Sequence, residues 1–282
     1  MLEKRTLEHD GRQRTYLLHV PKLAQPPARW PLVLAFHGSG VDAASMASFC
    51  GLDEKADQAG FVVVFPNGTG RREDALTWNA GLCCGYAANK QVDDVGFVRA
   101  MLDEVARALP IDETRVYSTG MSAGGMMTYR LAIEMPDRLA AIAAVAGPFV
   151  AKQLPSHPMP VLHFHGTADE YAPYAGGYGP RSVSNIDFPS VDATIGVWVK
   201  VNECPTIPVV SGEPDHVGDG TNITRKVFGP GKHGTEVVLY AIDGAGHTWP
   251  GRQPRLPVLG KSTGNLSAND VLWEFFQRHR RK

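Results

Sequence analysis

The sequence predicts an α/β fold, in which an open and mostly parallel sheet is flanked by helices. Continuous apolar runs that end in turn residues recur along the chain, as is typical of strands buried on both faces. Helix-like segments separate these runs, and connections of that length imply parallel pairing. No break in composition divides the 282 residues into two cores, so we expect a single domain over residues 1–282.

The predicted elements alternate in a regular order after an N-terminal hairpin. The strand patterns cover 14–20, 31–36, 61–65, 115–119, 140–146, 161–166, 224–228 and 237–242, and the helical patterns cover 43–59, 92–109, 123–135, 191–202 and 268–278. Pro110 and Pro136 end two of the helices, because a proline ring cannot continue a helix. A segment rich in Gly, Pro and Tyr, at about 171–190, is predicted to be a loop-rich insert.

Charge and hydropathy exclude several classes of partner. The chain has 28 basic and 29 acidic side chains, so it lacks the field that holds nucleic acid or an anionic membrane surface. No apolar run reaches the roughly 18 residues of a membrane span. The first residues are charged and lack the apolar core of a secretory leader, so we do not expect a precursor. We expect a soluble protein with neither nucleic-acid nor membrane partners.

The most informative stretch is Gly120-Met121-Ser122-Ala123-Gly124, which lies between a predicted strand and a predicted helix. A serine on such a sharp turn needs glycine two positions to either side, since larger side chains would clash with neighbouring backbone. This pattern is typical of the nucleophile elbow of α/β hydrolases, in which the acid and then the histidine follow the serine along the chain.

A serine nucleophile needs a base and a group that orients the base. Asp169 follows the strand that ends at Gly166, and His247 follows the strand over 237–242. Each role therefore falls at the carboxyl end of its own strand, where sites of open α/β sheets gather. Asp243 and Glu170 are the alternatives for the acid, and we favour Asp169. The predicted catalytic residues are Ser122, Asp169 and His247.

The oxyanion of the tetrahedral intermediate needs two preorganised N–H donors. One is predicted to be the backbone N–H of Ala123. The other is assigned to Ser39 in the glycine-rich loop after the first long strand, with Gly40 as the alternative. Trp249, Tyr171 and Met126 are candidate substrate contacts, although aromatic rings near the insert can equally pack it against the domain.

Three further histidines, His37, His163 and His165, lie in apolar context. Residues two apart in a strand share a face, so the pair at 163 and 165 is compatible with a metal site. It lacks a third ligand nearby, and we expect histidines of the core or of the site lining, with neither a metal nor a cofactor.

Four cysteines, Cys50, Cys83, Cys84 and Cys204, allow three pairings. A bond between adjacent cysteines would strain the peptide between them, so we favour Cys83 or Cys84 with Cys204 and the other with Cys50. Four buried thiols are the alternative.

Several motifs together resemble the polyhydroxybutyrate depolymerase and feruloyl esterase group of α/β hydrolases, esterases of the kind placed in carbohydrate esterase family one. The motifs are His37-Gly38-Ser39-Gly40, Thr77-Trp78-Asn79 with Cys83-Cys84-Gly85, Val92-Asp93-Asp94-Val95-Gly96-Phe97, the elbow continued through Gly125-Met126-Met127, His163-Phe164-His165-Gly166-Thr167-Ala168-Asp169, and Gly246-His247-Thr248-Trp249-Pro250-Gly251. The resemblance covers roughly residues 14 to 275.

The resemblance implies hydrolysis of carboxylic esters through an acyl-enzyme on Ser122, without metal or cofactor. It implies a disulfide from the Cys83-Cys84 pair to Cys204 and an extracellular or periplasmic location, with a cytoplasmic one as the alternative. We do not expect the attached substrate-binding domain that depolymerases of solid polymer carry, so soluble esters are favoured over solid polymer. We expect hydroxycinnamoyl esters of plant polysaccharide fragments as substrates, and a monomer or weak homo-oligomer. Esters of short 3-hydroxybutyrate oligomers, polyester, acetyl esters, and amides or peptides are alternatives, and a catalytically silent binding scaffold is a remote one.

Overall fold

The computed structural model describes residues 1–254 and 256–281, and one ten-stranded sheet runs through it. The strands are β1 (Glu3–His9), β2 (Arg12–His19), β3 (Trp30–Phe36), β4 (Val62–Pro66), β5 (Thr69–Arg72), β6 (Ala75–Thr77), β7 (Ile111–Met121), β8 (Ala141–Val145), β9 (Val161–Gly166), β10 (Gly177–Tyr178), β11 (Asp187–Phe188), β12 (Val209–Glu213), β13 (Asn222–Phe228) and β14 (Val237–Asp243). The α-helices are α1 (Ala43–Cys50), α2 (Leu52–Ala59), α3 (Gly85–Asn89), α4 (Asp94–Ala108), α5 (Ala123–Glu134), α6 (Val191–Val201) and α7 (Ala268–Gln277), and short 3-10 helices cover Lys232–Gly234 and Pro257–Leu259.

The strand order in the large sheet is β1-β2-β4-β3-β7-β8-β9-β14-β13-β12. The six strands from β4 to β14 are parallel to one another, whereas β1 and β2 at one end and β13 and β12 at the other pair antiparallel. This arrangement confirms the predicted α/β fold. It also sets the carboxyl ends of the parallel strands along one edge, which is where such sheets hold their sites.

The two faces of the sheet carry separate apolar clusters. Along β3, Leu32, Leu34 and Phe36 enter the cluster under α4, α5 and α6, whereas Val33 and Ala35 enter the opposite cluster under α1, α2 and α7. Successive strand residues point to opposite faces, and therefore a strand covered on both faces has the continuous apolar sequence that predicted it.

The structure differs from the prediction in several places. The helix predicted over 43–59 is two helices, because Gly51 adopts φ 64° and its N–H bonds to the carbonyl of Ala47, which ends α1. β1 and β12 lie at the two edges of the sheet, where most side chains face solvent, so neither has the apolar run of a buried strand. The insert at 171–190 forms the small β10–β11 hairpin, and its Phe188 is buried in the core.

The cysteine prediction is wrong. The structure bonds Cys83 to its neighbour Cys84 and leaves Cys50 and Cys204 as buried free thiols. Cys50 belongs to the core cluster on the opposite face of the sheet from the other three cysteines, so it cannot reach them. Cys204 lies beyond the end of α6, where its N–H bonds to the carbonyl of Val199.

Over the described ranges, none of the helices combines the length and the apolar character needed to span a bilayer. In the same ranges, no group of three or more His, Cys, Asp or Glu side chains is arranged to hold a metal ion.

Candidate active site

Ser122 lies on the sharp turn between β7 and α5, with φ 56° and ψ −122°. A Cβ on Gly120 would lie 2.5 Å from the carbonyl carbon of Gly124, and a Cβ on Gly124 would collide with the carbonyl of Phe36 in β3. Neither position has room for a side chain, because the start of α5 lies directly against two strand backbones. The glycines of the motif therefore allow the close approach that holds Ser122 half-buried at the end of β7.

Asp169 and His247 follow the neighbouring parallel strands β9 and β14. The Nδ1 atom of His247 lies 2.7 Å from Oδ2 of Asp169, and both side chains are buried. The other carboxylate oxygen, Oδ1, accepts hydrogen bonds from the backbone N–H groups of Tyr171 and Ala172. An ionised carboxylate accepts only, so Nδ1 carries the proton and Nε2 of His247 is left as a base.

Burial opposes ionisation of Asp169, but the charge of His247 and the hydrogen bonds to the carboxylate outweigh it and lower the pKa of Asp169. The two alternative acids lie elsewhere. Asp243 accepts a hydrogen bond from the hydroxyl of Thr167, and Glu170 pairs with Arg181 at the surface.

The structure brings Asp169 and His247 into contact and sets Ser122 on the same edge of the sheet, two strands from β9. Among the described residues, no hydrogen bond joins Ser122 to His247. Such catalytic bonds are often long in the free enzyme and tighten in the complex with substrate.

The loop after β3 is held by His37, which is fully buried beside Trp78. His37 Nε2 accepts from the N–H of Gly68 at 3.0 Å, so its Nδ1–H donates to the carbonyl of Gly38 at 2.7 Å. Burial lowers the pKa of His37 to about 4, which keeps the ring neutral. Because the C=O and N–H of a trans peptide point in opposite directions, the N–H of Ser39 points away from His37.

The two predicted oxyanion donors are uncommitted. Within residues 1–254 and 256–281, no acceptor takes the N–H of Ser39 or of Ala123. The alternative donor, the N–H of Gly40, bonds to the carbonyl of Leu76 at 2.8 Å and is therefore occupied. Gly38 lies beside the nucleophile, since a Cβ built on it would lie 3.4 Å from Cβ of Ser122.

Of the three predicted substrate contacts, only Tyr171 is partly exposed at the site, with its ring centroid 4.9 Å from that of His247. The prediction for Trp249 is wrong, because its ring is fully buried in the core and its Nε1–H donates to Oδ1 of Asn269. Met126 is also a core residue, with 2% of its surface exposed and its Sδ 3.7 Å from Sγ of Cys84. It offers almost no surface to a bound molecule.

Sequence reasoning left the roles of His37, His163 and His165 open between core and site lining. The structure sets all three in hydrogen-bonded positions behind the site. For His163 and His165, the one feature of the sequence that indicated a role was two histidines at alternate positions in an otherwise apolar strand.

A parallel sheet, a serine on a strand-to-helix turn and a carboxylate–histidine pair at the carboxyl edge together define an α/β hydrolase. The family model described as Esterase PHB depolymerase matches residues 14–157, slightly more than half of the chain. The NocK protein of Nocardia uniformis subsp. tsuyamanensis is 32% identical over 282 residues, which cover 94% of this chain and 79% of that protein. The chain belongs to the esterase PHB depolymerase family and is a carboxylic ester hydrolase.

Two further proteins resemble parts or all of the chain. Feruloyl esterase B of Piromyces equi is 30% identical over 225 residues, which cover 77% of this chain but 39% of that longer protein. The structure of acetyl xylan esterase from Aspergillus awamori superposes with a TM-score of 0.66 at 15% identity, covering 98% of this chain and 99% of that one. At that identity the superposition shows the fold alone.

Proposed function

We propose that Ser122, Asp169 and His247 are the catalytic triad of a serine esterase. The observation that carries this proposal is the buried 2.7 Å contact of Asp169 with Nδ1 of His247 on the same sheet edge as the elbow serine. The Oγ of Ser122 attacks the ester carbonyl while Nε2 of His247 takes its proton. The tetrahedral intermediate then collapses, the alcohol leaves with that proton, and an acyl-enzyme forms on Ser122. Water repeats the sequence and releases the acid.

The backbone N–H groups of Ser39 and Ala123 are proposed to bind the oxyanion. Both are uncommitted, and His37 orients the peptide that carries the first. Donors that are fixed before the reaction stabilise developing charge without reorganisation at the moment of reaction. No step of this mechanism requires a metal or a cofactor.

For the substrate we propose hydroxycinnamoyl esters, such as feruloyl esters of plant polysaccharide fragments. The name of the Piromyces equi relative supports this class, and the partly exposed Tyr171 ring beside His247 supplies an aromatic surface for a phenolic acyl group. Esters of short 3-hydroxybutyrate oligomers are the second candidate, because the matching family model is described by polyhydroxybutyrate depolymerase. We further propose a monomer or weak homo-oligomer, which light scattering of the purified protein tests.

The variant Ser122→Ala tests the triad. Removing the nucleophile should lower kcat on the order of 10⁶-fold while the protein stays folded, because a triad acts as a unit. Initial rates on a soluble aryl ester, with far-UV circular dichroism as the folding control, give the comparison. Activity within tenfold of the wild type would reject Ser122 as the nucleophile, and a folded wild type without activity on any ester would favour a silent scaffold.

Substrate class is tested separately with methyl ferulate, soluble 3-hydroxybutyrate oligomers and acetylated xylo-oligosaccharides, using Ser122→Ala as the blank. We expect the highest kcat/KM on methyl ferulate. A preference for the oligomers or for the acetyl esters would replace the proposed acyl group and leave the triad untouched.

A further inference from the structure

A buried line of side chains reaches the triad acid from the core. The hydroxyl of Tyr129, on α5, lies 2.8 Å from Nδ1 of His163. Nε2 of His163 lies 3.0 Å from Nδ1 of His165, two residues along β9. Nε2 of His165 lies 2.7 Å from the carbonyl oxygen of Ala172 and 3.4 Å from Oδ2 of Asp169. All three side chains of this line are at most 1% exposed.

The chemistry of its last acceptor fixes the direction of every hydrogen bond in the line. A carbonyl oxygen cannot donate, so Nε2 of His165 must carry the proton. Burial lowers the pKa of both histidines, and each neutral ring carries one proton only. Nδ1 of His165 is therefore an acceptor for Nε2–H of His163, and Nδ1 of His163 is an acceptor for the hydroxyl of Tyr129.

The same proton acts on the loop that carries the triad acid. His165 Nε2–H holds the carbonyl of Ala172, and the N–H of Ala172 donates to Oδ1 of Asp169. His165 also faces Oδ2 of Asp169, the oxygen that holds His247. The opposite tautomer of His165 would turn a lone pair toward both the carbonyl and the carboxylate, and the two repulsions would displace the acid.

We propose that His165 is a positioning residue for Asp169, and that His163 and Tyr129 lock it in the tautomer whose proton faces the acid loop. This inference rests on the proposed triad. Packing alone does not account for the line, because an apolar strand position needs no ring with two polar nitrogens, and an unpaired polar atom in a buried site is costly. The structure instead pairs every ring nitrogen of both histidines.

Substitutions at His165 test the contact with the acid loop. His165→Leu keeps an apolar side chain but removes the donor, and we expect kcat to fall on the order of 10²-fold with KM nearly unchanged, as for a small displacement of a catalytic group. His165→Gln restores an N–H donor near the position of Nε2, and it should recover most of that loss. Equal activity of His165→Leu and wild type overturns the proposal, as does equal loss in both variants.

The remote end of the line offers a matched pair of variants. Tyr129→Phe removes the hydroxyl that fixes the tautomer of His163, and we expect kcat to fall about fivefold, the equivalent of one hydrogen bond. Tyr117→Phe removes another buried tyrosine hydroxyl, which bonds to the carbonyl of His279 in the cluster on the other face of the sheet. Tyr117→Phe should lower the melting temperature about as much as Tyr129→Phe does, but it should leave kcat unchanged. If both variants lower kcat equally, the effect of Tyr129 is general destabilisation and the proposal fails.

A double-mutant cycle identifies the group through which His165 acts. In an Asp169→Asn background, His165→Leu should lower kcat no further, because the acid it positions is already gone; independent effects on kcat would overturn the proposal. Nitrogen-15 NMR of histidine-labelled Ser122→Ala protein gives a readout without turnover. We expect protonated Nε2 and bare Nδ1 at His163 and His165, and the reverse state at either ring contradicts the proposed lock.

The failure of this inference is distinct from the failure of the proposed function. If Ser122→Ala retains activity, the triad is wrong. If Ser122→Ala is inactive and His165→Leu is fully active, the triad stands and the positioning role of His165 falls.

Discussion

The two halves of the candidate site are built in different ways. On the elbow side, backbone contacts set the position of Ser122, because Gly120 and Gly124 leave no room for a side chain between α5 and the strands below it. On the acid–histidine side, side-chain hydrogen bonds hold Asp169 and His247, and a line of three further side chains supports them. A close backbone contact leaves no space for an added side chain, whereas a hydrogen-bonded network can be weakened one bond at a time.

This difference separates the expected consequences of mutation. A side chain added at Gly120 or Gly124 should act mainly on folding, since the added atoms meet backbone that cannot move. A change on the acid–histidine side should act mainly on kcat, since the fold remains while a proton or an acceptor is misplaced. Variants on the two sides should therefore separate into losses of stability and losses of kcat.

Asp169→Asn should lower kcat on the order of 10⁴-fold. The backbone N–H groups of Tyr171 and Ala172 will hold the amide oxygen of the asparagine, so its NH₂ group will face Nδ1 of His247. Nδ1 must then accept, and the proton moves to Nε2, which is no longer a base. Steady-state kinetics on a soluble ester measure the loss.

Asp243→Asn is the matched control, because Asp243 was the alternative acid and bonds to Thr167 instead. Its kcat should equal that of the wild type. A large loss in the control and a small one in Asp169→Asn would exchange the roles of the two carboxylates.

Gly124→Ala should destabilise the fold by about 2–3 kcal/mol, because its Cβ would meet the carbonyl of Phe36 inside β3. Gly196→Ala, in α6, is the control, since a Cβ there meets nothing within 4 Å. It should stabilise the protein by about 0.5–1 kcal/mol, the usual gain of alanine over glycine within a helix. Urea unfolding of both variants measures the difference, and similar values for the two would contradict a steric role for Gly124.

The difference between backbone contacts and side-chain hydrogen bonds also determines which parts of the site can be predicted from the sequence. A backbone that leaves no room for Cβ requires glycine at fixed spacing, so the elbow is visible in the sequence and Ser122 follows from it. Asp169 and His247 were predicted because each follows a recognisable buried strand. The hydroxyl partner of His163, Tyr129, lies 34 residues away on α5, and no local pattern indicates that the two side chains meet.

The sheet was predicted well where strands are covered on both faces and poorly at its edges. β3 and β4 are continuous apolar runs and β9 and β14 are largely apolar, whereas β1, at an exposed edge, has Leu7 as its one apolar residue among charged and polar ones. The disulfide was mispredicted for a related reason. Disulfide pairing depends on which face of the sheet each cysteine occupies. No pattern in the sequence near Cys50 indicates that it lies on the opposite face of the sheet from the other three cysteines.

Trp249→Phe should destabilise the fold by about 1–3 kcal/mol and leave KM unchanged, because the ring is a core residue whose Nε1–H satisfies Asn269. Tyr171→Ala, at the partly exposed ring beside His247, should instead raise KM with little loss of stability. Thermal unfolding and kinetics of both variants separate the roles. A raised KM with unchanged stability in Trp249→Phe would make this residue a substrate contact after all.

The smallest effect is a dependence of stability on pH at Asp169, where two influences compete. Burial favours the neutral acid, but the charge of His247 and the hydrogen bonds to the carboxylate prevail and lower the pKa of Asp169 in the folded state. Its carboxylate therefore stabilises the fold fully above the unfolded value of about 3.9, and this contribution is lost as the pH falls through the lower folded value. Asparagine mimics the neutral acid, so the wild type should exceed Asp169→Asn in unfolding free energy most at neutral pH, with the gap narrowing below about pH 4. Urea unfolding of the two proteins from pH 7 to pH 3 measures the gap. A gap that widens on acidification would mean that burial prevails and that the pKa of Asp169 is raised, and the acid–histidine side would then be held by its neutral hydrogen bonds and not by charge.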